Sequence, residues 1–545
     1  MVVDRISEYT RRIEMLQQQR AVFNNVWDQI SEVVRPEAAS FTGTYDTPGR
    51  KAGARLLDAV GQHSCELLAA GFYSLLTNPQ TKWFDLQTTN PTLRDLPQVK
   101  QWLIDSSQVL ATEMQRPQTG FTQALQEFYL DYCAFGNGIL YTTSTPDSHA
   151  LQFIALPLQE CFFLEGPDNQ VASLYRKYRR KVAEVVDFFT LPAVSKDVHD
   201  AYLAGRYDES VDLLHVIEPS SQALSQWNTL AYSNIYIDLS HKHIMHQGGF
   251  HERPFQVARF RKTSYEIYGR GPGHTALPDL QTLQEVMKTT LKAAQKLVDP
   301  PLAIPDAAFI EPVNLKPGAV TFYRPDGPND QIIPLNGNAD PSWGFQTAQD
   351  IRNRIRSMFY VDQLQLNEGP QMTATEVLQR TEEKMRMMGP VVGRAMTELL
   401  SPLIERSFYI LYRKGLLPSA PPQVLESWPG LSIVYLSPFA KVLDQNEANG
   451  IMRVTQLISP FMDVNPEVMD IFSTDNIARR LMDMYAIYPA CVRTEEEVAA
   501  LRTQRAEAAQ QQQMVQMMQQ GGQGFANMAS GLKQLSEAQA GTPAL

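Results

Sequence analysis

The chain has 545 residues, 43% of them hydrophobic and 20% charged, with 35 prolines, 30 glycines and a formal net charge of −11. That length accommodates roughly three to five domains or subdomains, and the acidic balance excludes a protein that holds nucleic acid through its overall field, so any basic surface has to be local. Cys65, Cys133, Cys161 and Cys491 share no CxxC spacing and read as buried free thiols of a reducing compartment. The N-terminus, MVVDRISEYTRR, is charged from Asp4 onward and does not read as a signal peptide. No run reaches the ~18 apolar residues a membrane-spanning helix requires. The expectation is a soluble protein made in the cytoplasm, with no membrane association and no cofactor.

Residues 4–34 carry Ile13, Leu16, Trp27, Ile30 and Val34 at helical spacing and stop at Arg35-Pro36. A second helix is expected over Ala54–Leu76, followed by the turn and strand of "TNPQTKWFDL". A third is expected over 95–115 and a fourth over 119–134, with Gly136-Asn137-Gly138 as a turn before a strand. Short strands such as "LQFIALP", "CFFLEGPDNQVASLYRKYR" and "NIYIDLSHKHIMHQ" then dominate to about residue 260, making the first half a mixed α+β body. From Leu280 the apolar positions 280, 283, 287, 291, 294 and 298 define one helical face, with Lys288, Lys292 and Lys296 in a row on the flank away from it. Residues 301–340 form a Pro- and Gly-punctuated module. A second helix carries Phe345, Ala348, Ile351, Ile355 and Met358 on one face. Two helices thus flank a compact insertion, like a stalk bearing a tip.

The stretch 367–394, "NEGPQMTATEVLQRTEEKMRMMGPVVGR", opens with a turn and enters a long Met-rich helix. Thr373 is the natural N-cap and Glu376 completes a T-x-x-E capping box, with Met372 and Val377 as a hydrophobic staple. Asn367, Glu368, Gly369, Pro370, Gln371 and Met372 are therefore left outside the helix as a loop. Gly389-Pro390 should break or kink the helix, which resumes until Gly415; its two arms together cover ~60 Å at helical rise. A strand is expected in "LSIVYLSPFA", a helical region over 441–490, and a further helix from Thr494 that trails into a Gln- and Met-rich, mobile C-terminus.

Chemical signatures are sparse. "GRGPG" (269–273) lacks the Walker Lys-Ser/Thr and the G-x-G-x-x-G spacing, and reads as a strand-to-helix turn rather than a phosphate loop. His241, His243, His246 and His251 cluster, and the first two would share a strand face, but alternation along a strand explains them without a metal. No G-x-S-x-G, H-E-x-x-H or paired-carboxylate motif stands out, so no catalytic residue is assigned.

Several segments together resemble one family, the portal or head-to-tail connector proteins of short-tailed double-stranded DNA phages. They are "LLDAVGQHSCELLAAGFYSLLTNPQTKWFDL" (56–86), "DYCAFGNGILY" (131–141), "YGRGPGHTALPDLQTLQEVMKTTLKAAQKLVDPPL" (268–302), "QMTATEVLQRTEE" (371–383), "LSIVYLSPFAKV" (431–442) and "RTEEEVAALRTQR" (493–505). The resemblance implies a helix-rich α+β portal fold assembled as a ring, expected to be dodecameric, around a channel at one capsid vertex. It assigns a wing to 1–272 and 416–440, stem helices to 273–300 and 341–366, and a clip to 301–340. It assigns a channel loop to 367–372, a long kinked wing helix to 373–415, and a crown to 441–520, with 521–545 a tail.

The same resemblance implies passage of double-stranded DNA and docking of a terminase motor, then tail adaptor proteins, with Tyr323, Arg324 and Asp326 on the clip as docking candidates. Major capsid and scaffolding proteins would be further partners, and the location is the virion after assembly in the host cytoplasm. Lys288, Lys292 and Lys296 could form basic rings facing DNA, whose pull screening confines to ~8–10 Å. A ring-forming tail adaptor, or another virion protein without a channel, is the competing structural reading; an enzyme with a dispersed site is the third.

Overall fold

The computed structural model describes residues 2–38, 40–43, 56–79, 82–94, 96–144, 151–220, 230–305, 314, 316–317, 319–323, 333–334, 341–364, 388–426 and 430–436. Beyond these it describes 454, 473, 475, 477–478, 482, 497–508 and 510. The chain divides into two units, Met1–Val442 and Leu443–Leu545. In the second, residues 497–508 are helical, and Arg502 pairs with Asp475 at 2.6 Å. The proposed cap at Thr494 lies outside the described residues.

In the first unit α1 (Val2–Val34) is a strut serving two cores. Its first half lays Ile6, Tyr9, Ile13 and Leu16 on a sheet face made by Tyr175, Val216 and Ile235. Its second half sinks Trp27 and Ile30 into the main core, each such large apolar burial stabilising the fold by ~1.5–3 kcal/mol. Polar groups fix the register between them. The Tyr9 hydroxyl donates to Glu218 Oε1 at 2.7 Å, and Arg12 reaches Glu218 Oε2 at 2.9 Å. Arg20 donates to the carbonyls of Leu158, Gln159 and Cys161 at 2.6–2.9 Å, so its buried charge is met by backbone oxygen.

Helix α2 (Val60–Leu76) starts later than its periodicity suggests. Asp58 Oδ1 accepts from the Val60 N–H at 2.9 Å, and the N–H groups of Leu57 and Asp58 are taken by Gln284, leaving 56–59 outside the helix. Strand β1 (Phe84–Thr88) follows, then α3 (Pro97–Met114) and α4 (Phe121–Phe135). The turn after α4 is shorter than expected: Gly136 alone has the left-handed φ of 76°, and β2 (Asn137–Thr143) begins at the next residue.

Strand β2 lies between β3 (Gln152–Ala155) and β9 (Phe255–Arg259), antiparallel to both. A five-stranded antiparallel sheet takes β4 (Cys161–Glu165), β5 (Val171–Lys181), β6 (Ser210–Pro219), β7 (Tyr232–Asp238) and β8 (His243–Phe250) in chain order. Between β5 and β6 run two short helices that the strand-rich reading of this region missed, α5 (Val182–Phe189) and α6 (Lys196–Leu203). The Ser195 hydroxyl caps α6 at the Val198 N–H while donating to buried Asp238 at 2.9 Å.

Helix α7 (Pro272–Val298) begins eight residues before the apolar repeat at Leu280 and carries Pro278 inside its first turns. Past it, β10 (Leu302–Pro305), β11 (Val320–Tyr323) and β12 (Ile333–Pro334) form a small mixed sheet. Helix α8 (Pro341–Met358) ends eight residues before 366, because Tyr360 turns left-handed at φ 58° and a separate short helix, Val361–Leu364, follows.

Residues 388–395 are helical, and the arm that would precede the expected break at Gly389-Pro390 lies outside the described residues. A π-helical turn follows at Met396–Leu400, ahead of α9 (Ser401–Arg413). Pro402 explains it: the ring has no N–H for the Glu398 carbonyl and crowds it, and the helix widens until the Ser401 N–H reaches the Met396 oxygen. Strand β13 (Leu431–Tyr435) pairs antiparallel with β1. No helix among the described residues is long and apolar enough to cross a membrane.

Candidate functional site

The α7–α8 hairpin is the stalk of the sequence reading, and its base is locked to the body by close backbone approach. A Cβ on Gly136 would sit 2.2 Å from the Gly271 nitrogen, one on Gly269 2.5 Å from the Gly136 oxygen, and one on Gly273 2.3 Å from the Ala134 oxygen. Only glycine lets these segments cross. Asn137 completes the joint, donating from Nδ2 to the Gly269 carbonyl at 3.0 Å and accepting the Gly269 N–H at 2.7 Å. "GRGPG" is thus the seat of a helix. His274 closes its first turn, Nδ1 accepting the Gly271 N–H at 3.2 Å; burial pushes this imidazole down to about 4, with Arg270 adding to the effect.

A second clamp holds both helices of the hairpin together. Arg352 of α8 pairs with buried Asp58 at 2.7 Å, while Gln284 of α7 donates to the Asp58 carbonyl at 2.8 Å and accepts the N–H groups of Leu57 and Asp58. Leu280, Leu283, Met287 and Thr290 of α7 and Gly344, Ala348, Ile351 and Ile355 of α8 are buried, with Thr290 against Gly344 and Leu280 against Gly61 of α2. The apolar stripe read from the sequence is buried only in part: Leu291, Val298 and Phe345 are exposed. Gly344 replaces Phe345 at the contact, since a Cβ there would lie 2.2 Å from Thr290 Oγ1.

The three lysines are not equivalent. Lys288 is held by Glu285 of its own helix at 3.0 Å. Lys292 is exposed and Lys296 half-buried, and neither has an ion-pair partner among the described residues. The docking candidate Tyr323 stands at the end of β11, opposite Pro305 of β10. Arg324, Asp326, the loop Asn367–Met372, Thr373 and Glu376 lie outside the described residues.

Sequence reasoning missed a buried charge network where the π turn meets the body. Glu398 accepts the Arg259 backbone N–H at 2.8 Å and Arg259 Nη2 at 2.8 Å. Arg259 also pairs with Glu165 and donates to the Asn169 carbonyl at 2.7 Å. Burial opposes the Arg259 charge, but Glu398 and then Glu165 outweigh it and raise the guanidinium further. The one local signal was Pro402, four residues beyond Glu398.

The histidines do not converge. His241 lies in the turn before β8, its Nδ1 2.7 Å from Asp238 Oδ2, and His243 Nε2 is 3.1 Å from the Ala193 oxygen. The two do not share a strand face, and no group of three or more His, Cys, Asp or Glu among the described residues could hold a metal ion.

The sequence model of the family described as "Bacteriophage head to tail connecting protein" matches residues 7–492. A protein named "Probable portal protein" from Bordetella phage BPP-1 is 29% identical over 502 residues, covering 90% of this chain and 89% of the relative. The "Portal protein" of Salmonella phage epsilon15 is 27% identical over 546 residues, covering 98% and 96%. A chain of a solved structure titled "Virion of native gene transfer agent (GTA) particle" covers 75% of this chain and 86% of its own, at 12% identity and a TM-score of 0.33, too low to argue from.

Proposed function

This chain belongs to the bacteriophage head-to-tail connecting protein family, and we propose that it works as the portal, a capsid-vertex ring through which DNA enters and leaves the particle. The observation that carries this reading is the family match over residues 7–492, together with two portal-named relatives that align along nearly the whole chain. The α7–α8 hairpin is the stem, 301–340 the clip that docks the terminase motor and later the tail adaptor, and 441–520 the crown. Residues 1–272 and 416–440 form the wing. The loop 367–372 narrows the channel, reached from the wing helix that carries the π turn.

The protein has no catalytic part; ATP hydrolysis belongs to the motor. Its charge of −11 per copy suits this work. A ring of about a dozen such chains repels phosphate overall, and passage requires guidance without tight binding. Negative-stain microscopy of the purified chain tests the reading: rings with an open centre are expected, and monomers or filled particles would overturn it.

A further inference from the structure

The stem hairpin has two uncovered sides of unlike chemistry. On the side of α7 turned away from α8 stand Lys288, Lys292 and Lys296. On the half of α8 turned away from α7 stand Trp343, 73% exposed, and exposed Asp350. Asp350 and Lys292 have no ion-pair partner among the described residues. The indole and, about two helical turns along, the carboxylate share this side with Arg354, whose charge is taken by Asp279 of α7; the carboxylate left over is the electrostatic complement of the lysine side.

We propose that these two sides are one interface, the lysine side of α7 seating on the Trp343–Asp350 side of α8 in the next copy. The idea rests on the ring reading above and adds which faces meet. Levels along the hairpin agree with it. Gly344 touches Thr290, Arg352 reaches Met287 at 3.5 Å and Arg354 pairs with Asp279 at 3.3 Å, so the helices are antiparallel. Trp343 therefore stands level with Lys292, and Asp350 within about one helical turn of Lys288.

Copies related by rotation about an axis along the stem keep every residue at its own level. A head-to-tail contact must also join two different faces of the chain. Lys292 then lies across the indole face of the neighbour's Trp343, a favourable cation–π arrangement. Lys288 bridges its own Glu285 and the neighbour's Asp350. The lysine row on this account holds the ring together and does not face DNA.

The test uses the full chain with Lys292→Cys and Trp343→Cys combined, treated with a mild oxidant or a short bis-maleimide. With Cys491 changed to Ser in every variant, a ladder of covalent oligomers ending at the closed ring is expected, and neither single variant should give it, since Cys65, Cys133 and Cys161 are buried. Asp350→Lys should weaken assembly at least tenfold, and Lys288→Asp added to it should restore assembly. If rings are seen by microscopy but the double variant gives no ladder, or Asp350→Lys assembles like the parent, the contact is wrong. Rings intact and unladdered with Lys292→Glu altering only DNA packaging would return the lysines to the channel. If the parent chain forms no ring, it is the portal reading that fails.

Discussion

Arg259 and Glu398 show what a single side chain decides in this molecule. Both are buried, and the pair ties the π turn to β9 while Arg259 also satisfies the Asn169 carbonyl. Removing Glu398 takes one of two carboxylates from the buried Arg259 and leaves the Arg259 backbone N–H without its acceptor, while Glu165 still meets the charge; stranding a buried polar group in this way typically costs ~1–3 kcal/mol. Glu398→Ala should therefore lower stability by about that amount in urea denaturation. The double change Arg259→Met with Glu398→Leu should cost less than the two single changes summed, the difference being the coupling of the pair; Glu165 keeps Lys262, while the Asn169 carbonyl loses its donor. A single variant as stable as the parent would show that the pair is not the fastening between wing helix and sheet. None of this was legible in the sequence. The partners are separated by 139 residues, and neither sits in a motif, whereas Thr-x-x-Glu caps and apolar repeats announce themselves within four.

At the scale of elements, legibility tracked how local the cause is. Helices α1, α3 and α4 and strands β1 and β13 stand where spacing and turn residues placed them, since burial of one face is a property of the segment itself. The starts of α2 and α7 and the end of α8 did not, because they are set by tertiary contacts at Asp58, at the Gly136–Gly271 crossing and at Tyr360. The start of α7 has a measurable consequence. His274 accepts the Gly271 N–H through a bare Nδ1, so the folded state requires the neutral ring, and its folded value of about 4 lies below the ordinary 6.5. Between those two values the unfolded chain binds the proton that the folded chain refuses. Stability is therefore full above pH 6.5 and is lost as pH falls toward 4, by up to ~3 kcal/mol from this group. In His274→Asn, whose amide oxygen can still accept the N–H without titrating, denaturation across this window should show a shallower pH slope. Parallel slopes would mean that His274 is not kept neutral by its burial.

The whole molecule combines a fold read from family-wide sequence likeness with a function that depends on segments linking its parts. The hairpin is clamped at its base by Gly136, Asn137, Asp58 and Arg352, which fastens it to the body. On the portal reading, the loop 367–372 lies in sequence between this clamp and the helix that is fastened by Glu398. If the loop 367–372 grips or gates DNA, its removal leaves both fastenings and the proposed copy-to-copy face untouched. Deletion of 368–371 should accordingly give rings indistinguishable by microscopy from the parent, with DNA packaging or retention reduced in an assembled particle. Normal packaging and retention by such rings would remove the loop from the mechanism.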